Sequence, residues 1–191
     1  EFRRVLFRSG PDGFARLVEG ARAACADLPG DAVVGVAPHS LRAVPPEDFP
    51  GLVALAGDGP IHMHLAEQPA EVAEVRAALG ARPVEWAVAN LPLDGRWCLI
   101  HCTQMEPNET AALAGTGAVA GLCPLTEANL GDGVFDGVRW LTQRGAFGIG
   151  SDSHVRVSLA EELRQLETSQ RLRDGCRAAL ATPERSTGRR L

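Results

Sequence analysis

Pro60-Ile61-His62-Met63-His64-Leu65 is a short apolar run that breaks abruptly into Ala66-Glu67-Gln68, and this change of character decides how the rest of the chain reads. Four other stretches repeat it. Ala32–Ala37 runs into Pro38-His39-Ser40-Leu41-Arg42, and Trp97–Cys102 ends in His101-Cys102-Thr103-Gln104. Gly117–Cys123 leads to Pro124-Leu125-Thr126-Glu127-Ala128-Asn129, and Ala146–Gly150 leads to Ser151-Asp152-Ser153-His154. Short runs of nearly continuous apolar character fit strands buried on both faces, as in parallel sheets.

Helical patterns separate these runs. Phe14–Asp27 sets Leu17, Ala21, Ala24 and Leu28 on one face. Further helices are predicted at Glu71–Leu79, Val84–Ala89, Asn108–Ala114, Val138–Gln143 and Leu159–Leu172, and Pro45-Pro46 opens a short one that closes near Gly57. Strand and helix alternate, so the class is α/β with a parallel sheet. Neither a solenoid repeat nor a low-complexity linker interrupts the pattern.

A complete eight-stranded barrel takes about 250 residues. Five strands in 191 residues therefore predict an incomplete TIM-type (β/α)8 barrel, about its last five β/α units. A five-stranded doubly wound sheet is the rival. Glu1–Ser9 reads EFRRVLFRS, which carries no cap and matches a translated sequencing adapter. It is set aside as a non-native head, leaving residues 10–191 as the C-terminal portion of one barrel domain. Glu184–Leu191 stops in a charged stretch without closing an element, and the first strand of such a piece is expected to expose an unpaired edge and lower solubility.

Composition narrows the function. A net charge of −5 and the absence of a basic block argue against nucleic acid or an acidic membrane surface as partner. No apolar run is long enough to span a bilayer. The five cysteines include no C-x-x-C pair, which reads as reduced thiols in a cytoplasmic protein.

All five histidines fall at a strand end or, for His62, on the strand leading into one. In α/β barrels and open α/β sheets that end carries the active site. His62 and His64 point to the same side of a strand, so either both bind a metal or one packs deeper. Glu67 follows where strand gives way to loop. A carboxylate there can take a proton from an activated water and pass it to a leaving nitrogen; otherwise it is a solvated side chain. His101 can ligate a metal or polarise the group under attack, or serve as a hydrogen-bonded rim residue. Asp152 can bind zinc and accept a proton, or cap a helix. His39 and Arg42 can clamp a carboxylate, Arg42 through two parallel hydrogen bonds, or pair at the surface. Cys102 is predicted to point away from His101, which removes it as a nucleophile. Asn129-Leu130-Gly131-Asp132-Gly133 matches no phosphate loop and is read as a turn shaping the mouth.

The chain also carries an H-x-x-E at His64–Glu67, a later His101 and an S-D at Ser151-Asp152. This set resembles the amidohydrolase superfamily in its deaminase branch. GVAPHSLRAV (residues 35–44), HMHLAEQPAEV (62–72), LCPLTEANLGDG (122–133) and FGIGSDSHVRVSLAEELRQLE (147–167) resemble the formimidoylglutamate deiminases within it. The resemblance implies a zinc (β/α)8 barrel that hydrolyses the formimino group of N-formimino-L-glutamate, a step in histidine breakdown. It implies one Zn2+ held by His64 and Asp152, proton shuttling by Glu67, assistance to the attacking water by His101, and dicarboxylate contacts from His39 and Arg42. Other divalent metals suit the same donors. A homodimer is the assembly common in the superfamily. The family's first-strand H-x-H has no counterpart ahead of residue 30, so the chain alone is expected neither to bind zinc tightly nor to turn over. Another amidohydrolase acting on a purine, pyrimidine or triazine ring, and a non-catalytic α/β binding module, remain as alternatives.

Overall fold

Ile61, Met63 and Leu65 are fully buried, whereas His62 is exposed and His64 half-buried, so β1 (Ile61–Leu65) puts one face in the core and lines the other with imidazoles. That alternation is the strand's period of two. The computed structural model describes residues 10–191; the head at residues 1–9 lies outside the described residues. The other strands are β2 (Trp97–His101), β3 (Val119–Leu122) and β4 (Phe147–Ile149). They form one parallel sheet in the order β1-β2-β3-β4.

Helices cross between strands and cover the sheet: α1 (Pro11–Cys25), α2 (Phe49–Ala56), α3 (Pro69–Leu79), α4 (Pro83–Asn90), α5 (Pro107–Gly115), α6 (Pro124–Leu130), α7 (Gly137–Thr142), α8 (Leu159–Asp174) and α9 (Thr187–Arg190), with a 3-10 turn at Pro46–Asp48 leading into α2. Met63, Leu99 and Ala120 are partners across β1, β2 and β3, and all three are buried. With Trp97, Val75, Val84, Leu113 and Trp140 they form the core. Each fully buried side chain of Leu or Met size stabilises by about 1.5–3 kcal/mol.

Three helices begin with Pro at the first position and Glu two residues on: Pro69/Glu71, Pro83/Glu85 and Pro107/Glu109. Pro has no N–H to leave unpaired there, and the Glu carboxylate reaches back to free N–H groups at the helix start. Glu85 accepts from Arg82 N–H at 3.3 Å, and Glu109 from Glu106 N–H at 2.7 Å.

Four expectations need correction, the last being the face of α1, where Val18 is buried whereas Leu17, Ala21, Ala24 and Leu28 are exposed. The first of the five predicted strands, Ala32–Ala37, is reduced to a single parallel bridge between Val36 and Ile61, so the described sheet has four strands. Val36 N–H donates to Pro60 O at 2.9 Å, and His62 N–H to Val36 O at 3.0 Å. The next donor of a parallel ladder falls at Pro38, which has no N–H, and the pairing stops. The backbone still turns back to accept His64 N–H on His39 O at 2.9 Å. Second, Pro124–Leu130 is a helix and not the strand-end loop and turn that its residues suggest. Pro124 starts it, and Gly131 at φ 73° ends it in the left-handed conformation that glycine adopts freely. The terminal charged stretch also closes a one-turn helix, α9.

Candidate active site

Parallel strands in register bring their C-terminal ends side by side. Three of the four ends carry a non-glycine residue with left-handed backbone: Ala66 at φ 52°, His101 at 72° followed by Cys102 at 52°, and Asp152 at 50°. Such conformations cost about 1–3 kcal/mol each and persist where the surrounding structure imposes them. At His101 the effect is plain. Alternation with buried Trp97 and Leu99 would turn this side chain into the core face. Instead its ring lies beside His64, with centroids 5.6 Å apart.

The His101 imidazole is buried and has two different sides. Nδ1 lies 3.2 Å from Glu127 Oε1. Nε2 lies 3.8 Å from Glu67 Oε1 and 3.9 Å from Asp152 Oδ2. These last separations exceed hydrogen-bond length. They are closer to the spacing of ligands around one shared small atom, since donors about 2.0–2.2 Å from a tetrahedral ion stand about 3.4 Å apart.

His64 is prepared in a similar way. Its Nδ1 lies 2.9 Å from the carbonyl oxygen of His39. A carbonyl only accepts, so Nδ1 carries the hydrogen and Nε2 keeps its lone pair. Metal-binding imidazoles are commonly oriented by such a bond on their other nitrogen. His39 stacks against His64 at 4.8 Å between centroids, and its Nδ1 lies 3.0 Å from Ser40 Oγ. Burial holds the His39 imidazole below its usual pKa, and the charges of His64 and Arg42 add to this. The structure thus gathers Glu67 and Asp152 about His101, with the His64 ring beside it. His39 reaches it through His64, and Arg42 acts by its charge on His39.

Charge is tuned at the centre. Burial is the main cause holding the Glu67 carboxyl above its ordinary range, although His101 draws it down. Burial opposes protonation of His101, but the hydrogen bond to Glu127 and the charges of Glu67, Glu127 and Asp152 outweigh it and raise its pKa. A carboxyl pushed up beside a basic imidazole is the pairing that acid–base catalysis needs.

Among the described residues, ligand atoms of His101, Cys123 and Asp152 lie within 4.8 Å of one another. His64 Nε2, His101 Nε2 and the Asp152 carboxylate are nitrogen and oxygen donors suited to a divalent cation. Cys123 fits less well. It is a softer donor than the nitrogen and oxygen atoms around it, and burial pushes its thiol up to about 12. Cys102 is fully buried with its thiol also pushed well up, and its Sγ–H points to Leu99 O at 3.6 Å, in line with its exclusion as a nucleophile.

Three contributors escaped sequence reasoning. Glu71, fully buried, accepts the N–H groups of Ala66 and Glu67. Glu127 contacts His101 and accepts Cys123 N–H at 2.8 Å. Cys123 itself faces His101. The P-x-E starts could have revealed Glu71, since a third-position Glu reaches back toward the strand end. An apolar groove of 1280 Å³ beside α1 and α2 touches these residues only at His39. Its charged lining is Asp12, Glu47 and Asp48, which suits no carboxylate ligand.

Known proteins share this frame. The chain is 48% identical over 169 residues to the formimidoylglutamate deiminase of Pseudomonas aeruginosa, covering 88% of this chain and 37% of that protein. It is 28% identical over 153 residues to a 5-methylthioadenosine/S-adenosylhomocysteine deaminase of Pelotomaculum thermopropionicum, covering 35% of that protein. The chain thus spans little more than a third of the length of these two relatives. A crystal structure of an amidohydrolase from Brucella melitensis superposes with a TM-score of 0.91 at 52% identity, over 94% of this chain and 40% of that one. A zinc-bound adenosine deaminase from Xanthomonas campestris superposes with a TM-score of 0.81 over 88% of this chain and 39% of that one, and at 22% identity it speaks for the fold alone. The amidohydrolase family pattern matches residues 11–185, and with the strand-end cluster lying inside that span, the chain belongs to the amidohydrolase family.

Proposed function

We propose that the protein to which this chain belongs hydrolyses N-formimino-L-glutamate to N-formyl-L-glutamate and ammonia, the iminohydrolase step of histidine breakdown. The observation that carries this reading is the arrangement at His101. Its Nε2 stands almost equally far from the Glu67 and Asp152 carboxylates, at 3.8 and 3.9 Å. Water adds across the amidine carbon, the C–N bond to the terminal nitrogen breaks, and that nitrogen leaves as ammonia. The reaction consumes one water and needs no redox partner.

In this reading His64 Nε2 and the Asp152 carboxylate hold a divalent cation, zinc, with His101 beside it. When bound, the cation lowers the pKa of a water to near neutrality. Asp152 would take up a proton from a water activated there. Glu67, whose carboxyl is raised by burial, delivers a proton to the departing nitrogen. Arg42 and His39 bind the substrate carboxylates, which an aromatic base would not require. The partner is thus a small dicarboxylate rather than a nucleic acid or a membrane. No helix among the described residues is long and apolar enough to cross a membrane. A cytoplasmic homodimer completes the proposal.

The test compares turnover of formiminoglutamate and guanine by the full-length protein. Formiminoglutamate is expected to be the preferred substrate. Glu67→Gln is expected to lower kcat by about 10²–10⁴-fold, and Arg42→Met to raise KM for formiminoglutamate. Preference for guanine would favour the ring-deaminase alternative, and a stable full-length protein without metal or activity would favour a binding module.

A further inference from the structure

We propose that Glu127 is a positioning residue for His101: it fixes the tautomer in which Nδ1 carries the hydrogen and Nε2 turns a lone pair toward Glu67 and Asp152. The inference concerns the site described above but does not depend on the reaction proposed for it.

Glu127 sits in the first turn of α6 with only 4% of its surface exposed. A single oxygen, Oε1, meets both Cys123 N–H at 2.8 Å and His101 Nδ1 at 3.2 Å. The Cys123 contact bears on the direction of the other. A backbone N–H can only donate, so Oε1 is held in place as an acceptor. An ionised carboxylate has no hydrogen to give. Where Glu127 is ionised, the bond forms only with Nδ1 as the donor. The opposite tautomer would set the Nδ1 lone pair against the carboxylate oxygen in a site closed to water.

The consequence falls on the other nitrogen. With Nδ1–H committed, neutral His101 presents Nε2 as an acceptor or ligand, not as a donor. The group between His101, Glu67 and Asp152 is then met by one imidazole lone pair and two carboxyl groups. Glu127 thus ties the end of β3 to the end of β2 and assigns the polarity of the site, through a residue that points away from the gap.

The experiment is long-range proton–nitrogen correlation NMR on the chain labelled with 15N-histidine, without metal or substrate, at alkaline pH where the imidazoles are neutral. A His101→Gln sample assigns the signal. The Nδ1–H pattern is expected for His101 in the unaltered chain. Glu127→Gln is expected to keep it, because Cys123 N–H holds the amide oxygen where Oε1 was. Glu127→Leu is expected to abolish the preference. A carboxylate serving only to cap the end of β3 would leave the tautomer unmoved. An Nε2–H pattern in the unaltered chain, or an unchanged Nδ1–H pattern in Glu127→Leu, would overturn the proposal; the first of these is read without any variant having to fold.

Discussion

The carboxylate of Glu71 holds the backbone of Glu67, accepting its N–H at 2.8 Å and that of Ala66 at 3.0 Å. One buried carboxylate thereby aims another. The chain leaves β1 through a left-handed residue, Ala66 at φ 52°, and the two bonds from Glu71 are what the structure sets against that strain.

Removing this clamp should be costly. Glu71→Leu strands two N–H groups near the strand end, and each buried unsatisfied donor costs about 1–3 kcal/mol. A loss of about 2–5 kcal/mol is expected from urea denaturation, with Glu71→Gln intermediate because one amide oxygen replaces two carboxylate oxygens. A loss under about 1 kcal/mol in Glu71→Leu would show that the clamp is dispensable.

The segment carrying His39 depends on a close backbone crossing. A Cβ placed on Gly35 would stand 2.2 Å from Pro60 O, and one on Gly59 2.3 Å from Val34 O. Both neighbours are backbone and cannot rotate aside. Gly35→Ala is expected to cost at least the overpacking range of about 1–3 kcal/mol. It should also break the Val36–Ile61 bridge, read as faster amide hydrogen exchange at Val36 and His62. Slow exchange at both amides in the variant would contradict this.

Thiol reactivity should divide the cysteines. Cys176 is exposed and Cys25 half-buried, whereas Cys102 and Cys123 are buried with thiols pushed far above the working pH. The thiolate is the reactive form. Iodoacetamide at neutral pH, followed by mass spectrometry, is expected to modify Cys176 first. Cys102 and Cys123 should react only on unfolding; their early modification would place them elsewhere than in the core.

How far the sequence was legible follows from which interactions are local. Strands β1 to β4 were readable because a buried parallel strand writes an apolar run, as at Trp97–Ile100. The position of His64, Glu67, His101 and Asp152 at the strand ends was readable because the polar break follows each run directly. The failure at Ala32–Ala37 turned on Pro38 withholding one ladder bond. Propensity patterns register this weakly. Glu127 was missed because its partner, His101, lies 26 residues away. Nothing near Glu127 in sequence marks it. The left-handed turn at His101 was equally hidden, since no glycine announces it.

Glu162 gives a pH signature. Its Oε2 accepts Leu125 N–H at 2.8 Å, and its Oε1 is buried without a hydrogen-bond partner. Burial is the chief cause raising its carboxyl above the ordinary value of 4.5. A raised folded-state pKa contributes stability below the unfolded value, and that contribution is lost as pH rises through the folded value. Urea denaturation from pH 4 to pH 7 is expected to show the unaltered chain losing stability relative to Glu162→Gln as pH rises. A relative gain would reverse the assigned sign.

The convergence of the strand ends on one small ion is tested most directly by titrating the chain with Co2+ and following paramagnetic shifts and broadening by NMR. Weak binding suffices, because the effect reports position rather than affinity. A single centre is expected, with signals from His64, Glu67, His101 and Asp152 affected together and the effect lost in Asp152→Asn. Ions centred on other acidic groups, with His64 and His101 unperturbed, would contradict the account.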